Sequence, residues 1–226
     1  MREIVVDTET TGLDPSKGDR LVEIACVELM HHVPTGQSFQ CYLNPKRDVP
    51  VEAFNVHGLS TEFLSDKPEF HEKAQEFLDF IAEDQLVIHN AEFDLKFLNS
   101  ELRAIKAPLI PYTRVVDTLA MARRKFPGSP ASLDALCKRF AIDTAHRVKH
   151  GALLDADLLA QVYIELIGGR QPGLELAASV SITVSQTTIV AAQARREPRP
   201  HAPTPEELAA HEAFVKTLSD PVWLKA

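Results

Sequence analysis

Near the N-terminus three branched residues, Ile4-Val5-Val6, run straight into Asp7-Thr8-Glu9-Thr10-Thr11-Gly12. The apolar triplet demands a strand, and Gly12 supplies the turn after it. In a strand, residues i and i+2 share a face, so Asp7 and Glu9 project side by side from the strand end. Such a pair needs a cation. Carboxylate oxygens suit Mg²⁺ or Mn²⁺, and a site that leaves coordination positions open suits a metal that also holds substrate phosphate. Taken alone, Asp-x-Glu is more simply an acidic turn after an edge strand, so the remainder of the chain has to decide.

At 226 residues the chain is long enough for one good core and an appendage. A hydrophobic share of 45% and a charged share of 25% are ordinary for a soluble globular protein. The net charge of -8 argues against a broad basic face for nucleic acid. It does not exclude such a substrate, because bound cations can present positive charge from an acidic site and a partner can supply the grip. The three cysteines, Cys26, Cys41 and Cys137, are widely spaced among apolar residues. They read as reduced core residues of a cytoplasmic protein, not as a disulfide framework or a zinc site. Met1-Arg2-Glu3 enters the first strand without a signal peptide, and the long uncharged run at 176–194 is too rich in Ser, Thr and Gln to span a membrane.

Residues 20–30 and 37–43 read as second and third strands, with turns at 14–18 and 33–36 making an antiparallel meander. Residues 50–64 read as short and irregular, with Glu52 and His57-Gly58 as polar points. Phe70, Ala74, Phe77, Leu78 and Ile81 recur at helical spacing over 69–82. A brief strand at 85–88 ends in His89-Asn90, and Asn90 is placed to cap a helix carrying Phe93, Phe97, Leu98 and Leu102. A fifth strand at 114–116 leads to Asp117 as the cap of a helix ending near Lys125; a short helix at 132–140 and a long one at 152–167 follow. This is an α/β chain: one mixed five-stranded sheet flanked by helices.

That domain spans residues 1–169. Residues 170–203 read as a linker, charged and proline-rich toward their end, and 204–226 as a helix with a terminal aromatic, Trp223. Thr204-Pro205-Glu206-Glu207 is a capping box with proline at the first helical position, and Leu208, Val215 and Leu218 share one stripe. A lone helix of this kind cannot bury itself, so it docks back on the domain or serves as a handle for another protein, and the long flexible tether favours the handle.

Further acidic and imidazole groups fall at element ends: His89-Asn90-Ala91-Glu92-Phe93-Asp94, Val116-Asp117-Thr118, and His150-Gly151-Ala152-Leu153-Leu154-Asp155. On one ideal helix, positions five apart lie about 140° apart around the axis and cannot share a site. With His150 in the loop before the helix and Gly151 as the joint, the imidazole can swing over a metal that Asp155 coordinates. Several of these groups have plainer readings. Asp117 reads as a cap, Glu92 as a dipole partner, Asp134 as a first-turn residue, and His89 as either an orienting group or a packed histidine. His31, His32, His71, His146, His201 and His211 read as solvated.

Taken together and in this order, Asp7-Thr8-Glu9-Thr10-Thr11-Gly12, His89-Asn90 with Phe93-Asp94, and His150-Gly151-Ala152-Leu153-Leu154-Asp155-Ala156 resemble the three motifs of the DEDDh exonuclease superfamily. Over its whole length the chain resembles the proofreading ε-subunit family of bacterial DNA polymerase III. The resemblance implies a ribonuclease-H-like fold and a 3′–5′ DNA exonuclease releasing nucleoside 5′-monophosphates. It implies two divalent cations, Mg²⁺ or Mn²⁺, on Asp7, Glu9, Asp94 and Asp155, with His150 as general base. Thr8, Thr10, Gly12, Glu52, His57, His89, Asn90 and Phe93 are then expected along the single-stranded 3′ end. The C-terminal segment would hold the polymerase subunit, and Gln171-Pro172-Gly173-Leu174-Glu175-Leu176 resembles a sliding-clamp-binding motif; a small third core subunit is a further expected partner. The alternatives are a free-standing DEDDh exonuclease on RNA or short oligonucleotides, and a polymerase-stabilising subunit without catalysis.

Overall fold

A computed structural model describes residues 1–145, 149–168 and 202–219. Its sheet begins with β1 (Arg2–Thr10), β2 (Leu21–Met30) and β3 (Val33–Tyr42), an antiparallel meander. Two short helices follow, α1 (Val51–His57) and α2 (Thr61–Leu64), and then α3 (Phe70–Ile81). The chain returns through β4 (Gln85–Ile88), α4 (Ala91–Ala104) and β5 (Val115–Asp117) to α5 (Thr118–Lys125), α6 (Leu133–Arg139) and α7 (Ala152–Leu166). The strand order is β3-β2-β1-β4-β5, with β4 parallel to β1 and β5 parallel to β4. The sheet is therefore mixed and five-stranded, as the sequence implies, and β1 is its central strand.

Because side chains alternate along a strand, β1 divides the core. Ile4 and Val6 face α3 and α4, meeting Phe77, Ile81, Phe97 and Leu98. Val5 faces the other way, against Ala156, Leu159, Ala160 and Tyr163 of α7. Glu3, Asp7 and Glu9 share Val5's parity and so point to the α7 side. A third cluster joins α5 and α6 to α7 through Ala122, Leu136, Cys137, Leu158 and Val162. All three cysteines are buried thiols, as expected.

Four local expectations are corrected. The β2–β3 hairpin turns at His31-His32, not at 33–36: Met30 pairs with Val33, and both histidines have positive φ (53° and 62°). A two-residue turn of that sign matches the twist of the flanking strands. Pro34 is tolerated because β3 is an edge strand, and Gly36 (φ 84°) lies in an irregular stretch of the β2–β3 pairing. Residues 50–64, expected to be irregular, hold α1 and α2; α1 closes on Gly58 in the left-handed region (φ 77°). Asn90 does precede α4, but it sits at φ 62°, ψ 54° and its side chain caps nothing. Its own N–H instead donates to Asp117 Oδ1 (3.3 Å). Lastly, His32 is not simply solvated: its Nδ1 lies 2.7 Å from Oε2 of the fully buried Glu3, whose Oε1 accepts from Tyr163 (2.6 Å).

The expected cap at Asp117 forms, and Ser132, not expected as a cap, forms another. Asp117 accepts from Leu119 and Ala120 at the start of α5, and Ser132 accepts from Ala135 in α6. Residues Met1–Glu175 form one compact unit and Leu176–Ala226 a second. In the second unit, Thr204 and Glu207 make the reciprocal capping box of α8 (Pro205–Val215). The linker, the clamp-like segment from Gln171 to Leu176 and Trp223 lie outside the described residues.

Glu3 is fully buried, Tyr163 donates to its Oε1, and losing that hydroxyl leaves the oxygen without compensation. Tyr163→Phe is expected to destabilise the protein by about 1–3 kcal/mol. Denaturant unfolding of the two proteins measures the difference.

Candidate active site

The site lies at the carboxyl ends of β1 and β4, which run side by side in the same direction. Asp7 and Glu9 come from β1, on the face covered by α7. Asp94 arrives from the first turn of α4, and Thr8 Oγ1 donates to its Oδ1 at 2.7 Å. Asp155 comes from the first turn of α7, at 3% exposure. His150 is exposed, in the loop before α7, with Nδ1 3.1 Å from Asp155 Oδ2. Ligand atoms of Glu9, His150 and Asp155 all fall within 4.8 Å of one another.

The helix–joint geometry explains the last contact. α7 starts at Ala152 with Gly151 in extended conformation at its cap, so His150 is not on the helix and its ring can fold back over Asp155. The backbone N–H of His150 donates to the carbonyl of Val56 (3.2 Å), tying this loop to α1. Beside it, the Lys149 ammonium sits 4.6 Å from the centre of the Phe54 ring.

The electrostatics are those of crowded like charges. Burial pushes the Asp7 carboxyl well above the usual range, and the charges of Asp94, Glu9, Asp155 and Glu23 push the same way. Burial raises Asp94 to about 7, against the hydrogen bond from Thr8. Several buried, oxygen-only donors that resist ionising together form a set suited to hard divalent cations, so the residues present fit such a metal.

Next to the acidic cluster is a cavity of about 570 Å³. Of the residues expected along the substrate, Thr8, Glu9, Thr10, Gly12, Glu52, His57 and Phe93 line it. Its walls are largely apolar, from Leu13, Pro50, Ala53, Val56 and Phe93, which suits a sugar and a base. Gly12 is required by close approach, since a Cβ there would collide with the Asp19 carboxylate. His57 is buried, with Nδ1 accepting from Leu59 N–H (3.0 Å) and no hydrogen bond of ordinary geometry at Nε2. Burial lowers its pKa, and the nearby Thr10 backbone opposes the shift. His89 and Asn90 do not line this cavity. The His89 Nδ1 pairs with Thr118 Oγ1 at 2.9 Å, where burial lowers its pKa, and Asn90 is exposed.

Sequence reasoning missed Glu23, which is 2% exposed on β2 directly opposite Glu9. An acid set among the apolar residues of β2, which also carries Glu28, was the available signal. Burial pushes its carboxyl up, while Gln40 and the Ala152 amide pull it down. Leu13, 80% exposed yet lining the cavity, was also missed.

The chain belongs to the exonuclease family, whose model matches residues 4–163. Within that family it is similar to bacterial proteins named DNA polymerase III subunit epsilon. The protein of that name from Rickettsia typhi is 49% identical over 223 residues, covering 96% of this chain and 97% of the relative. The Escherichia coli protein is 45% identical, covering 94% and 91%. Among solved structures, the nuclease domain of 3′hExo, a DEDDh family member, aligns over 74% of this chain and 91% of its own with a TM-score of 0.63 and 17% identity. Exonuclease X aligns over 73% and 90% with a TM-score of 0.57 and 24% identity. These two likenesses concern the fold.

Raised aspartate pKa values set a sign for stability. Asp7 and Asp94 favour folding when protonated, so their contribution to the stability of the chelator-treated protein is fully present below the unfolded aspartate value of about 3.9 and is lost as pH rises, for Asp94 through about 7. The melting temperature without metal is expected to fall across that window, and Asp94→Asn to flatten the fall. A divalent cation should restore stability at the upper end, as differential scanning calorimetry would register.

Proposed function

We propose that this chain is a metal-dependent 3′–5′ exodeoxyribonuclease that removes nucleotides from the single-stranded 3′ end of newly made DNA, the proofreading subunit of a replicative polymerase. One observation carries the reading: Asp7, Glu9, Asp94 and Asp155 converge from β1, α4 and α7, with His150 hinged onto Asp155. The 49% identity to a DNA polymerase III subunit epsilon over nearly the whole of both chains supports the replicative setting.

Asp7, Glu9, Asp94 and Asp155 would hold two cations, Mg²⁺ or Mn²⁺. When bound, these supply the positive charge that favours attack by water and departure of the 3′ oxygen in an in-line displacement at phosphorus. The chain's own residues do the rest. With Nδ1 donating to Asp155, His150 presents Nε2 as the basic nitrogen that takes the proton from the attacking water. Thr8 donates to Asp94 and holds its carboxylate in place. The cavity between β1 and α1 takes the terminal nucleotide, with Glu52 and His57 on its α1 wall and Thr10, Gly12 and Phe93 against the sugar and base. The product is a nucleoside 5′-monophosphate.

Partners follow from the same reading. α8 and the chain after it hold the polymerase subunit, the segment from Gln171 to Leu176 binds the sliding clamp, and a small third subunit completes the core. Among the described residues no helix is long and apolar enough to cross a membrane, in keeping with a cytoplasmic replicase.

Asp7→Ala combined with Glu9→Ala is expected to abolish metal-dependent release of nucleotide from single-stranded DNA with the fold retained. Nucleotide release assayed beside circular dichroism measures both, and undiminished hydrolysis refutes the assignment. His150→Ala should slow hydrolysis about 10²–10⁴-fold while calorimetric metal binding persists. Matched 3′-deoxy and 3′-ribo oligonucleotides separate the readings of substrate: faster removal from DNA is expected, and a strong ribo preference points to an RNA-degrading enzyme instead.

A further inference from the structure

Glu23 occupies a costly position. It faces Glu9 across the β1–β2 pair, and like charges directly opposite one another weaken an antiparallel ladder. Its two oxygens are both engaged. Oε1 accepts from Gln40 Nε2 at 2.7 Å, and Oε2 accepts from the backbone N–H of Ala152 at 3.1 Å.

Ala152 is the first residue of α7, and the first N–H groups of a helix have no partner inside it. A Ser, Thr, Asp or Asn at the cap usually supplies one. Here the cap is Gly151, which has no side chain to offer. Glu23 performs that service from another element, 129 positions earlier in the sequence, and its carboxylate also meets the positive end of the helix dipole. The helix end it secures carries Asp155 in its first turn and is preceded directly by Gly151 and His150.

We infer that Glu23 is a positioning residue for hydrolysis: by holding the Ala152 amide it fixes the start of α7 over the end of β1, and so sets Asp155 and His150 against Glu9. This rests on the roles given above to Asp155 and His150. Reach, not charge, is what the position requires. Glutamine has the same length and one acceptor oxygen for the Ala152 amide, with Gln40 free to turn its own amide and accept from the new NH2, whereas aspartate keeps the charge and falls one methylene short.

The test compares Glu23→Gln and Glu23→Asp in the full chain, measuring kcat and KM on single-stranded DNA with saturating Mn²⁺, alongside melting temperature. Glu23→Asp is expected to lower kcat about 10- to 100-fold with KM little changed, as for a misplaced reacting group. Glu23→Gln should keep most of the activity. An active Asp variant beside an inactive Gln variant would overturn the inference, since charge would then be the requirement. Parental kcat in both, or loss in both with parental melting, overturns it too. Asp155→Ala run in parallel keeps the two ideas apart: if that variant remains active, the catalytic reading fails; if it is dead while Glu23→Asp is not, only the positioning role fails.

Discussion

Enclosing several carboxylates together at the end of β1, away from water and close to one another, is the constraint that the rest of the fold has to meet. Burial above all moves Asp94 to about 7, which corresponds to roughly 4 kcal/mol of added preference for the protonated form over an ordinary aspartate. Opposing that cost is the burial of apolar side chains: Ile4, Val5 and Val6 are fully enclosed, each contributing roughly 1.5–3 kcal/mol. The central place of β1, paired on both edges and covered on both faces, is what makes that burial available.

The site is then assembled from elements that meet only at this end of the sheet. β4 runs parallel to β1, so α4 begins beside the β1 terminus and brings Asp94 within reach of Thr8. α7 crosses the opposite face, anchored at its far end by Tyr163 on Glu3 and at its near end by the Ala152 amide on Glu23. Both anchors are buried acids on the face that carries Asp7 and Glu9. The helix is thus fixed at two points along its length, while the His150 loop, hung from Val56 on α1, is the less buried part of the assembly. A fixed aspartate with a hinged imidazole suits a base that must take a proton from a water of changing position.

Much of this could be read in the chain because the signals are local. Alternation places Asp7 beside Glu9 without any knowledge of the sheet, and helical geometry alone keeps His150 off α7. Thr204 and Asp117 cap where their types and positions say they should. What escaped depends on register or on distant partners. His31-His32 lacks the Gly or Asn that marks a tight hairpin, while Pro34 and Gly36 advertise a turn that edge position and local irregularity absorb. α1 is seven residues long, too short for periodicity to emerge. Glu23 looks like an ordinary acid in a strand until its opposition to Glu9 and its reach to Ala152 are known. The Glu3, His32 and Tyr163 contact joins three separate parts of the sequence.

Anomalous diffraction from crystals soaked in Mn²⁺ tests the central claim most directly. The account requires strong manganese peaks bridging the Asp7, Glu9, Asp94 and Asp155 oxygens. Peaks confined to other surface acids, with those four side chains left uncoordinated, would contradict it.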